Sequence, residues 1–147
     1  MCGDYEYEYY TDGTAGITNY TGTEKEVAVH SKPDGHPVSV IGDRAFMSRA
    51  DDLAAIRLPD SVTSIGECAF CYCTRLSSVN IPESVTAIGD GAFFCCESLA
   101  SVTIPDSVTS IGERAFAECA SLTLTVPRGS YAERYCRDNG LAYRYPD

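Results

Sequence analysis

Basic residues are scarce in this chain. Eleven Lys and Arg stand against twenty-one Asp and Glu, for a formal net charge of −10. A surface that holds phosphates needs positive charge, so nucleic acid is excluded as a partner, and docking on anionic lipid is disfavoured for the same reason. Long apolar runs are absent too: no stretch approaches the roughly 18 consecutive apolar residues that span a bilayer. The start, MCGDYEYEYY, lacks a basic n-region and an apolar h-region, so it does not read as a signal peptide. A Met followed by an acidic strand fits a start placed downstream of one. Histidine is nearly missing: His30 and His36 alone are available as imidazole bases. No Cys or Ser is spaced to form a dyad with either, so no catalytic residue is assigned and no enzyme is expected.

What is abundant is repetition. With 147 residues, 44% hydrophobic and 22% charged, the balance is that of a globular chain, and aligning it with itself gives a period of 23. Ile65, Ile88 and Ile111 each precede a glycine. Ala69-Phe70, Ala92-Phe93 and Ala115-Phe116 recur at the same offset, as do Leu76, Leu99 and Leu122 and the pairs Leu58-Pro59, Ile81-Pro82 and Ile104-Pro105. An earlier copy begins near Val38 with Ile41-Gly42 and Ala45-Phe46, and carries one extra residue before Leu53.

Each unit reads the same way. In SSVNIP, Val79 and Ile81 fall on one face of a short strand and Ser78 and Asn80 on the other. Pro82 then ends the ladder because it has no N–H to donate. SVTAIG adds a second extended piece with Val85 and Ile88 inward. The following DGAFFCCESL has an acidic start and the Ala/Phe/Leu spacing of a brief helical turn. Asp43, Glu67, Asp90 and Glu113 open these turns, where the positive end of a helix favours a carboxylate. One unit cannot bury its apolar face alone, so stacked copies are expected to share a continuous core.

The pattern L-x-x-V-x-I-P-x-x-V-x-x-I-G-x-x-A-F-x-x-C, as in Leu76 to Cys96, resembles the BspA-like (Treponema-type) leucine-rich repeat. Arg49 departs from it at the Cys position, as does His30-Ser31 where Ile/Val-Pro is common. The resemblance implies an α/β repeat fold: a right-handed leucine-rich-repeat solenoid of about four 23-residue coils. YEYEYYTDGTAGITNY reads as an N-terminal β-hairpin cap. RGSYAERYCRDNGLAYRYPD reads as a C-terminal helix–strand cap, with a capping box at Ser130-x-x-Glu133 and a helix stop at Asn139-Gly140. The expected organisation is one domain: residues 1–37 as hairpin and degenerate first coil, 38–127 as repeats, 128–147 as cap. With both ends sealed it reads as a complete small unit and a monomer.

Eight cysteines stand in the chain. Cys73, Cys96 and Cys119 each follow their Phe by three residues and are expected to stack as a packed thiol column. A tetrahedral zinc site needs converging ligands, which a column does not offer, so no metal is assigned. Cys71 and Cys95 lie off the column, and Cys68 is placed facing solvent. CAFCYC resembles a metal knuckle on paper, although Cys73 is already claimed by the core. Cys136 packs inward from the terminal helix. Cys2 reads as a hairpin residue or stray thiol, with a lipoprotein remnant as the other reading. A disulfide framework is not expected, since repeats supply core without staples.

Two polar rows complete the pattern. Asp60, Glu83 and Asp106 read as a solvated acidic ridge rather than a calcium edge, and Ser61, Ser84 and Ser107 as partners for loop amides. No cofactor is called for. The remaining feature is surface: Arg57, Ser78, Asn80, Ser101, Thr103 and Thr125 form the outward face of the strands, the candidate partner-binding face. The tyrosine-rich flanks offer further contacts. The expected function is a non-enzymatic protein-interaction module. The resemblance implies a secreted or cell-surface bacterial protein with an adhesion role. A structural spacer without specific ligand is the second reading, a thiol- or metal-active protein the third, and a cytoplasmic location the alternative.

Overall fold

A computed structural model describes residues 4–29 and 32–146, so Cys2 and His30 lie outside it. The strands begin with β1 (Tyr5–Tyr9), β2 (Ala15–Tyr20), β3 (Glu26–Ala28) and β4 (Val38–Ile41). Then come β5 (Ala55–Arg57), β6 (Ser64–Ile65), β7 (Ser78–Val79), β8 (Ala87–Ile88), β9 (Ser101–Thr103) and β10 (Ser110–Ile111). β11 (Thr123–Thr125), helix α1 (Tyr131–Asn139) and β12 (Tyr143–Arg144) close the chain.

Three sheets result: a six-stranded one in the order β1-β2-β4-β6-β8-β10, and two three-stranded ones, β3-β5-β7 and β12-β11-β9. Apart from the antiparallel hairpin β1–β2, every pairing is parallel. The register follows the sequence period. Ile17 pairs with Ile41, Ile41 with Ile65, Ile65 with Ile88 and Ile88 with Ile111, and all five are buried. Such columns are what a repeated inward residue must form when parallel strands stack about 4.8 Å apart.

The aromatic column is the centre of the core. Phe46, Phe70, Phe93 and Phe116 are buried, with ring centroids 5.1, 5.2 and 5.2 Å apart and near-parallel planes. Tyr20 of β2 continues the column at 5.3 Å from Phe46, and Tyr5 follows at 4.9 Å. Thus β2 is at once a hairpin strand and the first layer of the stack. That dual role is hidden in sequence because Tyr20 replaces Phe and the following loop breaks the period.

The segment after each Ile-Gly is not a helical turn. It is a run of tight turns in which two positions per repeat have left-handed backbone. Arg44, Cys68, Gly91 and Arg114 form one such column, with φ of 59, 52, 61 and 58°; Tyr72, Cys95 and Glu118 form the other, at 63, 61 and 60°. These twists turn alternate amides toward the next repeat. Phe46 N–H donates to Ala69 O at 3.0 Å, Phe70 to Ala92 at 2.8 Å and Phe93 to Ala115 at 2.7 Å; Cys68, Tyr72, Gly91 and Cys95 do likewise. Asp43 and Asp90 therefore serve the stack rather than a helix end: each accepts the amide of the acidic residue one repeat on, Glu67 and Glu113, at 2.8 Å. Close approach explains the invariant glycine, since a Cβ on Gly89 would fall 2.8 Å from Glu67 N. At the C-terminal end of the row, no backbone carbonyl among the described residues accepts from the amides of Arg114, Phe116 or Glu118.

The extra residue before Leu53 is taken up by a 3-10 turn at Met47–Arg49. At the far end, α1 lies beside β10. The Tyr131 hydroxyl meets both Ile111 N–H (3.2 Å) and Ile111 O (3.4 Å), and Tyr135 donates to Gly112 O at 2.7 Å, so tyrosines occupy the open edge of the sheet. Ser130 caps the helix by accepting Glu133 N–H at 3.1 Å, while the Glu133 carboxylate reaches back to Gly129 N–H at 2.7 Å, one residue earlier than a reciprocal capping box places it. Gly140, with φ 67°, ends the helix.

Candidate functional site

The outward strand face divides. The ladder that runs through β3, β5 and β7 stops there, and β9 pairs instead with β11. A groove of about 480 Å³ lies over the first sheet, lined by Glu26, Ala28, Ala55, Arg57, Ser78 and Asn80 among others. Polar Glu26, Arg57, Ser78 and Asn80 alternate with apolar residues in its lining, and Glu26 and Arg57 carry opposite charges.

Of the six residues assigned to this face, the structure brings three together here: Arg57, Ser78 and Asn80. Asn80 is not free to greet a partner. Its Oδ1 accepts Leu58 N–H at 2.7 Å and its Nδ2 donates to Leu58 O at 3.1 Å, so the amide imitates a strand and fastens β7 to the preceding repeat. Ser101 and Thr103 are exposed but belong to β9, on the separate sheet. Thr125 corrects the expectation: it is only 6% exposed, and its Oγ1 accepts from Arg144 Nε at 3.2 Å, because β12 adds a strand beside β11. Glu26 and Ala28 escaped the sequence reading, since β3 sits in the divergent segment whose spacing no longer matches the repeat.

The serine row also behaves differently from expectation. Ser84 donates to Val62 O at 2.6 Å and Ser107 to Val85 O at 2.8 Å: carbonyls of the preceding repeat, not loop amides. Ser61 Oγ, at the head of the row, is buried without a partner. Asp60, Glu83 and Asp106 are all exposed. His36 is a loop residue whose Nδ1 lies 3.0 Å from Gly13 O.

The thiol column is in place. Cys96 Sγ lies 3.2 Å from Phe70 O and Cys119 Sγ 3.1 Å from Phe93 O, each bonding one repeat back. Cys73 and Cys96 are fully buried and Cys119 partly so. Burial pushes the Cys73 thiol up to about 12 and that of Cys136 up to about 11. The hydrogen bond shared with Cys119, together with burial, raises Cys96 as well. The Cys73, Cys96 and Cys136 sulfurs therefore stay protonated and inert at neutral pH, whereas the bond with Cys96 holds the Cys119 thiol below its usual range. All seven described cysteines are free thiols.

A second groove, of about 500 Å³, opens on the turn side between Arg44, Glu67, Asp90, Glu113 and Arg114. Cys68 and Cys71 both line it, with Tyr72 and Phe94 in edge-to-face contact at 5.5 Å on its rim. Cys71, expected off the column, is nonetheless buried at 3% exposure, while Cys68 is half-buried. Among the described residues no group of three or more His, Cys, Asp or Glu is placed to hold a metal ion, and no helix is long and apolar enough to cross a membrane.

The fold that carries these grooves is shared with known proteins. A leucine-rich repeat protein from Bacteroides capillosus is 33% identical, superimposes with a TM-score of 0.77, and is covered over 96% of its length by 86% of this chain. The T. pallidum leucine-rich repeat protein is 30% identical with a TM-score of 0.70, over 86% of this chain and 71% of that one. A leucine-rich repeat protein from Bacteroides ovatus is 28% identical with a TM-score of 0.61, over 84% of this chain and 39% of that one. No curated protein matches the chain. The BspA type leucine rich repeat region matches residues 39–131 in six copies. The chain belongs to the BspA-type leucine-rich repeat family.

Proposed function

We propose that this protein is a non-enzymatic protein-interaction module whose partner seats on the groove over β3, β5 and β7, with Arg57, Ser78, Ala55 and Glu26 making contact and Ser101 and Thr103 extending the footprint. The observation that carries this reading is the groove itself: open to solvent along the strand face, with Glu26, Arg57 and Ser78 set among the apolar Val27, Ala28, Ala55, Ile56 and Val79. Sheet faces of solenoids are where extended partners are recognised. In the same reading the chain is one domain of about four right-handed coils and a monomer, with the β1–β2 hairpin and the α1–β12 pair sealing its ends. Its place is at the cell surface or outside the cell, in an adhesion role, which rests on the family resemblance.

Surface plasmon resonance against a panel of purified extracellular-matrix and serum proteins tests it. A binder whose affinity falls at least tenfold with Arg57→Glu, and stays unchanged with a substitution at exposed Glu97 on the turn side, supports the reading. A blank panel, or a binder indifferent to Arg57, favours a spacer without specific ligand.

A further inference from the structure

Of the features that recognition leaves unused, the pair of thiols in the turn-side groove carries the argument furthest. Cys68 and Cys71 are the first and last residues of a tight turn closed by Cys71 N–H to Cys68 O at 3.3 Å. Such a turn holds the outer Cα atoms within about 7 Å, inside the span that a disulfide bridges. Both cysteines line one groove that is open to solvent. They differ in exposure: Cys68 is half-buried, its sulfur leaning over Gly91 of the next repeat, whereas Cys71 is buried. Where the other repeats have Arg44, Gly91 and Arg114 at the position of Cys68, and Met47, Phe94 and Ala117 at that of Cys71, this repeat alone has a thiol at both.

We propose that Cys68 and Cys71 are a redox-closable dithiol that exchanges with low-molecular-weight disulfides entering the turn-side groove. Cys68 is the attacking residue. As a thiolate it displaces one sulfur of the small disulfide RSSR, forming a mixed disulfide; the released thiolate takes up the proton that Cys68 gave to water. The Cys71 thiol then loses its proton, its sulfur attacks that of Cys68, and the second RSH departs. Two protein thiols are oxidised by two electrons and one RSSR is reduced to two RSH. Burial first, and then the neighbouring Cys68, push the Cys71 thiol up to about 12. Cys71 is therefore the slow, resolving partner. Three carboxylates (Glu67, Asp90, Glu113) face two guanidiniums (Arg44, Arg114) around the groove, so a cationic disulfide is favoured over an anionic one.

The test treats the reduced, folded full chain with excess cystamine or oxidised glutathione, followed by acid quench, alkylation and chymotryptic peptide mapping. Cleavage after Phe70 and Tyr72 leaves the Cys68 and Cys71 peptides joined only if they are bonded. The expected result is that link as the main product, formed several-fold faster with cystamine, with Cys73, Cys96 and Cys136 untouched. Cys71→Ser is expected to stop at a stable Cys68 adduct, and Cys68→Ser to leave Cys71 unmodified. A persistent Cys68 adduct in the unaltered chain, a link from Cys68 to Cys95 or Cys73, or no thiol consumed would each overturn the proposal.

Discussion

The turn side and the strand side of this molecule are built from the same repeats and are held together differently. On the turn side the amide-to-carbonyl row runs unbroken from Arg44 to Ala117, directly over the stacked Phe rings. On this strand face the ladder is interrupted between β7 and β9, and even within the first sheet one side chain, Asn80, extends the β5–β7 pairing by bonding Leu58. The difference teaches that register is set by the turns and the aromatic column. The strands follow, and their outer face is left free to vary.

Breaking the continuous side is expected to have the largest effect. Phe93→Ala removes a ring stacked on both neighbours and leaves a cavity, for a loss of about 3–5 kcal/mol measurable by urea denaturation. On the interrupted side, Asn80→Ala strips two hydrogen bonds and leaves Leu58 N–H unpaired, for about 1–3 kcal/mol. If this change instead equals or exceeds the Phe93 loss, the strand side governs register and the comparison is wrong.

Smaller changes sharpen the contrast. Arg114 holds a left-handed conformation that costs a side-chain-bearing residue about 1–2 kcal/mol. Arg114→Gly is expected to leave the protein about 1 kcal/mol more stable, read as a raised Tm. Ser84→Ala is expected to cost about 1 kcal/mol, while Ser61→Ala, which removes a buried hydroxyl without a partner, costs nothing or stabilises. Equal losses at the two serines would contradict the bonding described.

The last effect is one of pH. The Tyr145 hydroxyl, then the Gly129 amide, hold the Glu133 carboxyl below its usual range. A lowered pKa in the folded state means that this contribution is present above the ordinary carboxylate value of about 4 and is lost as pH falls through the lower folded value. Tyr145→Phe is expected to flatten that acid-side loss of stability, checked by thermal melts from pH 7 downward.

Much of the interior was legible because repeated inward residues permit one arrangement. Ile65-Ile88-Ile111, the Phe column and Cys73-Cys96 lie where the period of 23 puts them. The turns were misread as helical because Ala/Phe/Leu spacing is common to a helix and to consecutive turns with i to i+3 bonds; only backbone angles separate the two. Arg57 and Ser78 line one groove on the strand face, where the alternation of the strands puts them. The burial of Thr125 was not legible, because its cover, Arg144, comes from a strand outside the repeat. Cys68 and Cys71 stand as C-x-x-C in the sequence, but their shared groove depends on side chains of neighbouring repeats, which spacing within one repeat does not reveal.

The one-way direction of the turn-side amides gives the two ends of the row opposite chemistry. The backbone carbonyls of the row accept at the N-terminal side of each layer, and the amides of Arg114, Phe116 and Glu118 end it without a backbone acceptor among the described residues. Tyr135 and Asn139 of α1, and Leu141 just after it, line the cavity beside that edge, so the terminal helix, and not a further repeat, is what the last layer meets.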